Sequence, residues 1–291
     1  MSSQKNLVID IINKTADYLK DKGIENSRLN AELLVGFVLN LDRVQLYLNF
    51  EKPLHQSEID KLKPLLKRRA IHEPLQYILG KTEFYSLDFK INQHTLIPRP
   101  ETELLVDVTL DICNNDFSNQ DRIDIFDIGT GSGNIATALT KNKSNIWMSA
   151  IDIDSEALKI AQENAVYHGV ADRINFILQD IYKKFSDSPK HFDIIVSNPP
   201  YITKQEMTDL PLDVRNFEPN IALEGGEKGL DFYFRIYELA SLLKENGCIV
   251  VEIGALQSEQ VVDIFSNNNL FRFIEVFKDL NGKSRVVLAK K

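Results

Sequence analysis

The chain has 291 residues, 43% apolar and 26% charged, with a formal net charge of -8. That length suits a substantial domain plus a smaller one, and the composition is that of a globular protein able to bury a full core. The acidic balance counts against dependence on phosphate contacts, because nucleic-acid binding usually needs a basic surface. Cys113 and Cys248 lie far apart, each in an apolar stretch without ligand spacing. They read as small buried hydrophobes and fit a reducing, cytoplasmic setting. The N-terminal segment mixes charge with apolar residues and has no signal-peptide core, and no apolar run has membrane-spanning length.

The first part of the chain reads as helices. Leu7, Ile11, Ile12 and Leu19 recur near helical spacing, with Gly23 as a stop. Ser27 is placed to cap a second helix through Leu29, Leu33, Leu34 and Phe37, and a third runs from Ser57 to Arg69. The expectation is a helical domain over residues 1–75. The basic run Lys61, Lys63, Lys67, Arg68 and Arg69 is a solvated helix face or a surface for an acidic partner or ribosomal RNA. Residues 76–98 change character. Tyr77 and Ile78, then Phe84, Tyr85, Leu87, Phe89 and Ile91, predict two short strands around a turn, a β-hairpin linker. Arg99 sits between Pro98 and Pro100, either lining a cleft or pairing with Glu101 or Glu103.

Residues 99–291 form the larger domain, in which strands and helices alternate. IDIFDI (123–128), WMSAIDI (147–153), INFILQ (174–179), FDIIVS (192–197) and CIVVEI (248–253) are near-continuous apolar strands. Helices are expected around residues 135–139, 155–168 and 230–243. Such alternation indicates a parallel sheet covered on both faces. FRFIEVF (271–277) and SRVVLA (284–289) are joined only by KDLNGK, too short for a crossover, so this last pair is antiparallel.

The first chemical signal is Asp127-Ile128-Gly129-Thr130-Gly131-Ser132-Gly133, which leaves a strand and opens a helix. In open α/β sheets ligands sit beyond the carboxyl ends of the strands. Asp152 ends the second strand and suits a ribose diol, and Asp180 ends the third and suits an adenine amino group. The spacing is Gly-x-Gly-x-Gly rather than the dinucleotide Gly-x-Gly-x-x-Gly. An acid at the loop entrance repels a pyrophosphate and attracts an ammonium. The expected ligand is therefore S-adenosyl-L-methionine, with S-adenosyl-L-homocysteine as product. The five histidines are scattered and no metal is expected.

The second signal is Asn198-Pro199-Pro200-Tyr201, directly after the fourth strand. Two prolines cannot join a central sheet, so they belong to the loop leaving it. A planar amide or amino nitrogen is a weak nucleophile, and its methylation calls for positioning more than for a strong base. Two acceptors aimed at its two hydrogens fix it and stabilise the charge growing on it. The Asn198 side-chain oxygen and the Pro199 carbonyl are the candidates, with Tyr201 lying against the planar acceptor. Glutamine amide, adenine N6 and cytosine N4 all satisfy this logic.

NPPY after DIGTGSG looks like the amino-methyltransferases. Further pieces are EPLQYILG (73–80), IPRPETE (97–103), ALEGG (222–226) before Gly229-Leu230-Asp231, Glu252-Ile253-Gly254, and KDLNG (278–282). Together they closely resemble the HemK/PrmC family over essentially the whole chain. The resemblance implies a class I methyltransferase: a Rossmann-like α/β fold with a mostly parallel seven-stranded sheet, an antiparallel terminal hairpin and a small N-terminal helical domain. It implies methylation of the glutamine side-chain nitrogen (N5) in the Gly-Gly-Gln motif of class-1 peptide chain release factors. The resemblance makes residues 129–133 and Asp152 donor-binding, to which the reading of the loops adds Asp127, Asp180 and Asn198, and residues 198–201 become the substrate and catalytic loop. The position after Asp180, often aromatic in the family, is Ile181 here, with Tyr182 as a substitute. The helical domain would grip the release factor, with no membrane and no nucleic acid required. Another protein glutamine, as in a ribosomal protein, a nucleic-acid amino group, or a silent partner-binding module are the competing readings.

Overall fold

Five helices open the chain in the computed structural model, which describes residues 6–183 and 192–291: α1 (Val8–Asp21), α2 (Ser27–Leu39), α3 (Arg43–Leu48), α4 (Gln56–Ala70) and α5 (Leu75–Leu79). Val8, Ile12, Leu19, Leu34, Leu46 and Leu62 meet in one buried cluster, which is why their helical spacing is so regular. Helix α3 is too short to show a period, but Asp42 and Gln45 cap it reciprocally. Ser27 does not cap α2. It is the first helical residue, and Asn26 stands before it in the left-handed conformation with no side-chain cap bond.

The strand expected at Tyr77 and Ile78 is a helix. Pro74 precedes it and Gly80, at φ 71°, ends it in a left-handed turn. Ile78 enters the helical core, so tertiary packing overrides strand propensity. The basic run is not one patch. Arg69 is buried and donates to the Asn30 side-chain oxygen at 2.7 Å, Arg68 pairs with Glu73, and Lys63 pairs with Asp60.

The hairpin is β1 (Lys81–Phe84) with β2 (Leu87–Lys90), antiparallel. There follow α6 (Glu103–Asn115), β3 (Ile123–Ile128), α7 (Asn134–Asn142), β4 (Ile146–Asp152), α8 (Ser155–Tyr167), β5 (Ile174–Leu178) and β6 (Phe192–Ser197). The chain continues through α9 (Leu212–Phe217), α10 (Asp231–Glu238), β7 (Leu243–Glu252), α11 (Ser258–Ser266), β8 (Phe273–Lys278) and β9 (Ser284–Lys290). Two units result. One takes the chain up to Gly80 and adds Pro211–Phe217; the other is Lys81–Leu210 with Glu218–Lys291. The hairpin thus belongs to the larger unit, because Phe84 and Phe89 bury in the core of that unit.

The seven strands run in the order β5-β4-β3-β6-β7-β9-β8. The pairs from β5 to β7 are parallel, and β7–β9 and β8–β9 are antiparallel. Alternate residues of each strand enter opposite cores. Ile125, Ile194 and Val250 face one cluster, and Phe126, Ile195 and Val251 face the other. Burial on both faces is what makes the central strands read as unbroken apolar runs. Asp127 and Glu252 continue the first of these faces, so both acids are carried into the core.

Candidate active site

Four successive turns at the carboxyl ends of β3, β4, β5 and β6 enclose a cavity of about 310 Å³, the size of a small-molecule pocket. Ile128, Gly129 and Gly131 line it from the first turn, and Asp152 to Asp154 from the second. Gln179 to Tyr182 come from the third turn and Ser197 to Pro200 from the fourth. Pro219, Ile221, Ala222 and Phe232 complete one side, and His94 and Leu96 another.

Hydrogen bonds tie the turns to each other. The amides of Gly129 and Thr130 both donate to the Ile151 carbonyl at 2.9 Å. Asp152 accepts from the Gly131 amide at 2.8 Å and, through its other oxygen, from the Asp154 amide at 3.0 Å. Its carboxylate is thereby fixed at the rim, each oxygen keeping a further lone pair. The Ser197 hydroxyl donates to the Ile128 carbonyl at 2.7 Å, which joins the first turn to the fourth. Gly129 and Gly131 have positive φ and open space where a Cβ would stand. Gly133 also has positive φ but serves packing as well, since a Cβ there would lie 2.9 Å from that of Ala161 on α8.

The lining includes Asp152, Asp154 and Asp180 and neither lysine nor arginine. Such a cavity repels a pyrophosphate and suits a cationic ligand. Asp127 lies at the base of the first turn, fully buried and not on the cavity wall. Neither of its oxygens has a hydrogen-bond partner among the described residues, the Thr130 hydroxyl being the neighbour that most favours its charge. Burial pushes its carboxyl up to about 7. An orphaned buried acid beside an acidic cavity fits a ligand that carries an ammonium and a sulfonium. Thr130 and Ser132 are buried behind the turn as well. Ile181 is buried on the wall, and Tyr182 beside it sets its ring edge-on to Phe232 at 5.6 Å. Both side chains foreseen for this position therefore reach the cavity.

The loop after β6 is built from both sides. The Asn198 side-chain nitrogen donates to the Thr102 hydroxyl at 3.1 Å, which leaves its oxygen without a donor among the described residues. Pro199 and Pro200 have no N–H, and no described residue donates to the Pro199 carbonyl. The Tyr201 carbonyl is already taken by the Gln257 side chain at 2.9 Å, and Gln257 also bonds Gly229 and Gly254. Gly225 lets the loop close up, since a Cβ there would come within 2.5 Å of the Pro200 carbonyl. Tyr201 does not line the cavity. Its hydroxyl turns away to Glu252 at 3.5 Å, a long contact, and burial raises the phenol well above its usual range. Arg99 pairs with the buried Glu218, not with Glu101 or Glu103.

Several residues escaped the sequence reading. Thr102 stands inside IPRPETE and Glu252 opens EIG, but only the fold shows that both sit behind Asn198 and Tyr201. Gln257, His94 and Phe232 carried no local signal at all. Among the described residues no group of three or more His, Cys, Asp or Glu side chains is placed to hold a metal ion. No helix among them is long and apolar enough to cross a membrane.

The strand order, the glycine turn and the NPPY loop beside an acidic cavity define a class I S-adenosylmethionine-dependent methyltransferase. The fold is shared with the N-terminal domain of human METTL16 in complex with SAH, at TM-score 0.51 and 17% identity over 84% of this chain and 86% of that one. Residues 10–80 match the PrmC N-terminal domain and residues 104–213 the methyltransferase small domain. The chain belongs to the release factor glutamine methyltransferase family. It is 40% identical to the release factor glutamine methyltransferase of Geobacter sulfurreducens over 95% of this chain and 94% of that protein. With the Bacillus subtilis protein of the same name it shares 36% over 97% of both. It also matches a bifunctional methyltransferase of Rickettsia felis, at 39%, but spans only 57% of that longer protein.

Proposed function

We infer that this chain methylates the side-chain amide nitrogen of the glutamine in the Gly-Gly-Gln motif of class-1 release factors, in the cytoplasm. The observation that carries this reading is the pair of free acceptors, the Asn198 side-chain oxygen and the Pro199 carbonyl, opening beside a cavity suited to a cationic donor. Two oxygens match the two hydrogens of a planar NH₂. As the nitrogen bonds to carbon it becomes positive, and both contacts strengthen. S-adenosylmethionine, when bound, supplies a methyl group ready for in-line displacement. Asp152 and Asp180 are placed for its ribose and adenine, and Ile181 and Tyr182 for the face of its base. The alkylated amide nitrogen is strongly acidic, so its proton leaves to water after the new bond has formed.

The test is incubation with labelled donor and, in parallel, purified release factor, ribosomal protein and DNA, with mass mapping of the product. Label on the Gly-Gly-Gln glutamine is the expected result. Label confined to a ribosomal-protein glutamine or a nucleobase overturns the assignment of the acceptor, and no label on any of them overturns the reading as an enzyme.

Donor affinity should also depend on pH. Asp127 is raised to about 7 by burial in the donor-free protein. An ammonium held in the adjoining cavity favours the charged form, so binding releases a proton. Affinity therefore rises with pH and levels off above about 7, falling by up to about tenfold per unit on the acid side. Calorimetry across that range checks the slope, and Asp127→Asn should flatten it. An unchanged slope in the variant would take Asp127 out of the donor site.

A further inference from the structure

The side-chain amide of Asn198 is useful in only one orientation. Oxygen and nitrogen occupy nearly the same space, so the amide can be turned over without steric penalty. Turned over, it would present two donors to the two donors of an incoming NH₂. Nothing in the loop itself prevents this, because both neighbours that follow are prolines. Three groups behind the loop bear on the choice. The Thr102 hydroxyl, 1% exposed at the start of α6, contacts the Asn198 nitrogen at 3.1 Å. The Glu252 carboxyl, also 1% exposed at the end of β7, faces the hydroxyls of Thr102 and Tyr201. One Glu252 oxygen receives the Tyr201 hydroxyl at 3.5 Å, the other has no hydrogen-bond donor among the described residues, and the Thr102 hydroxyl is one of the neighbours that favour the charged carboxyl.

We propose that Thr102 and Glu252 are positioning residues that fix which end of the Asn198 amide faces the acceptor nitrogen. A threonine hydroxyl has a single hydrogen. Directed at the Glu252 carboxyl, it leaves the Thr102 oxygen able only to accept. The Asn198 nitrogen must then donate to it, and the Asn198 oxygen is turned toward the cavity. The polarity of the chain Glu252–Thr102–Asn198 is set at its buried end, by an acid that no part of the methyl transfer touches. Tyr201 feeds the same acid, which gives that side chain a reason to point away from the cavity.

This inference rests on the assignment of Asn198 as the acceptor-binding residue. It is tested by steady-state kinetics with labelled donor and purified release factor, the parent enzyme serving as the control for that assignment. A parent that leaves the release factor unlabelled refutes the functional reading, not the network. With an active parent, Thr102→Val keeps the volume but removes the hydroxyl. Its kcat should fall about ten- to a hundredfold, the cost of misplacing a reactant, while KM for the donor stays within about twofold. Thr102→Ser, which restores the hydroxyl, should recover most of the loss. Glu252→Gln puts an amide donor against Thr102 and should also lower kcat without weakening the donor. A folded Thr102→Val with parental kcat, or Thr102→Ser as impaired as Thr102→Val, overturns the proposal. If Thr102→Val does not fold, the comparison of Thr102→Ser with Thr102→Ala is read in the same way.

Discussion

Asn198→Ala should bind S-adenosylmethionine as the parent does and lose methyl transfer by about a hundredfold or more, the usual consequence of removing one preorganised polar group from a transition state. The expectation follows from where Asn198 stands. It is half-buried in the loop after β6, and its oxygen is one of the two acceptors there that no described residue engages. Its removal leaves the glycine turn and the Asp152 staple intact. It does leave the buried Thr102 hydroxyl without its Asn198 donor, which costs about 1–3 kcal/mol of stability at most. Calorimetry for the donor, thermal melting and single-turnover transfer to release factor separate these effects. A variant that turns over like the parent would move the chemistry away from this loop.

Asp152→Ala should act on the donor first, weakening its binding by about ten- to a hundredfold, as expected for hydrogen bonds to a charged group. Two effects combine. The carboxylate is held at the rim by the Gly131 and Asp154 amides, and burial raises its pKa in the absence of ligand. Substitution removes the proposed acceptor for the ribose and also releases Gly131, so the first turn loses its brace. Asp152→Asn separates the two, because its amide oxygen can still accept from one of the two amides. If donor affinity is unchanged in both variants, the ribose site lies elsewhere.

The sheet was legible wherever burial on both faces forced apolar runs. The closing hairpin was legible because six residues cannot span a crossover. The limits of β7 were not: Lys244, Glu245 and Asn246 extend it at an exposed margin, and polar residues there imitate a loop. Tyr77 and Ile78 misled because short segments take their conformation from what they pack against. In the site, residues 129–133 and 198–201 were visible as turns that must follow strands. Which of them line the cavity was not. Gly133 packs on Ala161, Asp127 lies behind the turn, and Tyr201 faces Glu252. Thr102 meets Asn198 across 96 positions of chain, a distance over which no local pattern speaks.

Neighbouring parallel strands carry the two decisive turns, with Ile128 paired to Ser197 in register and a hydroxyl bond across the gap. Adjacent strands keep a spacing of about 4.8 Å whatever side chains they bear. The separation of the two turns is thus inherited from backbone hydrogen bonding. Redesign of the surrounding walls would leave that separation unchanged.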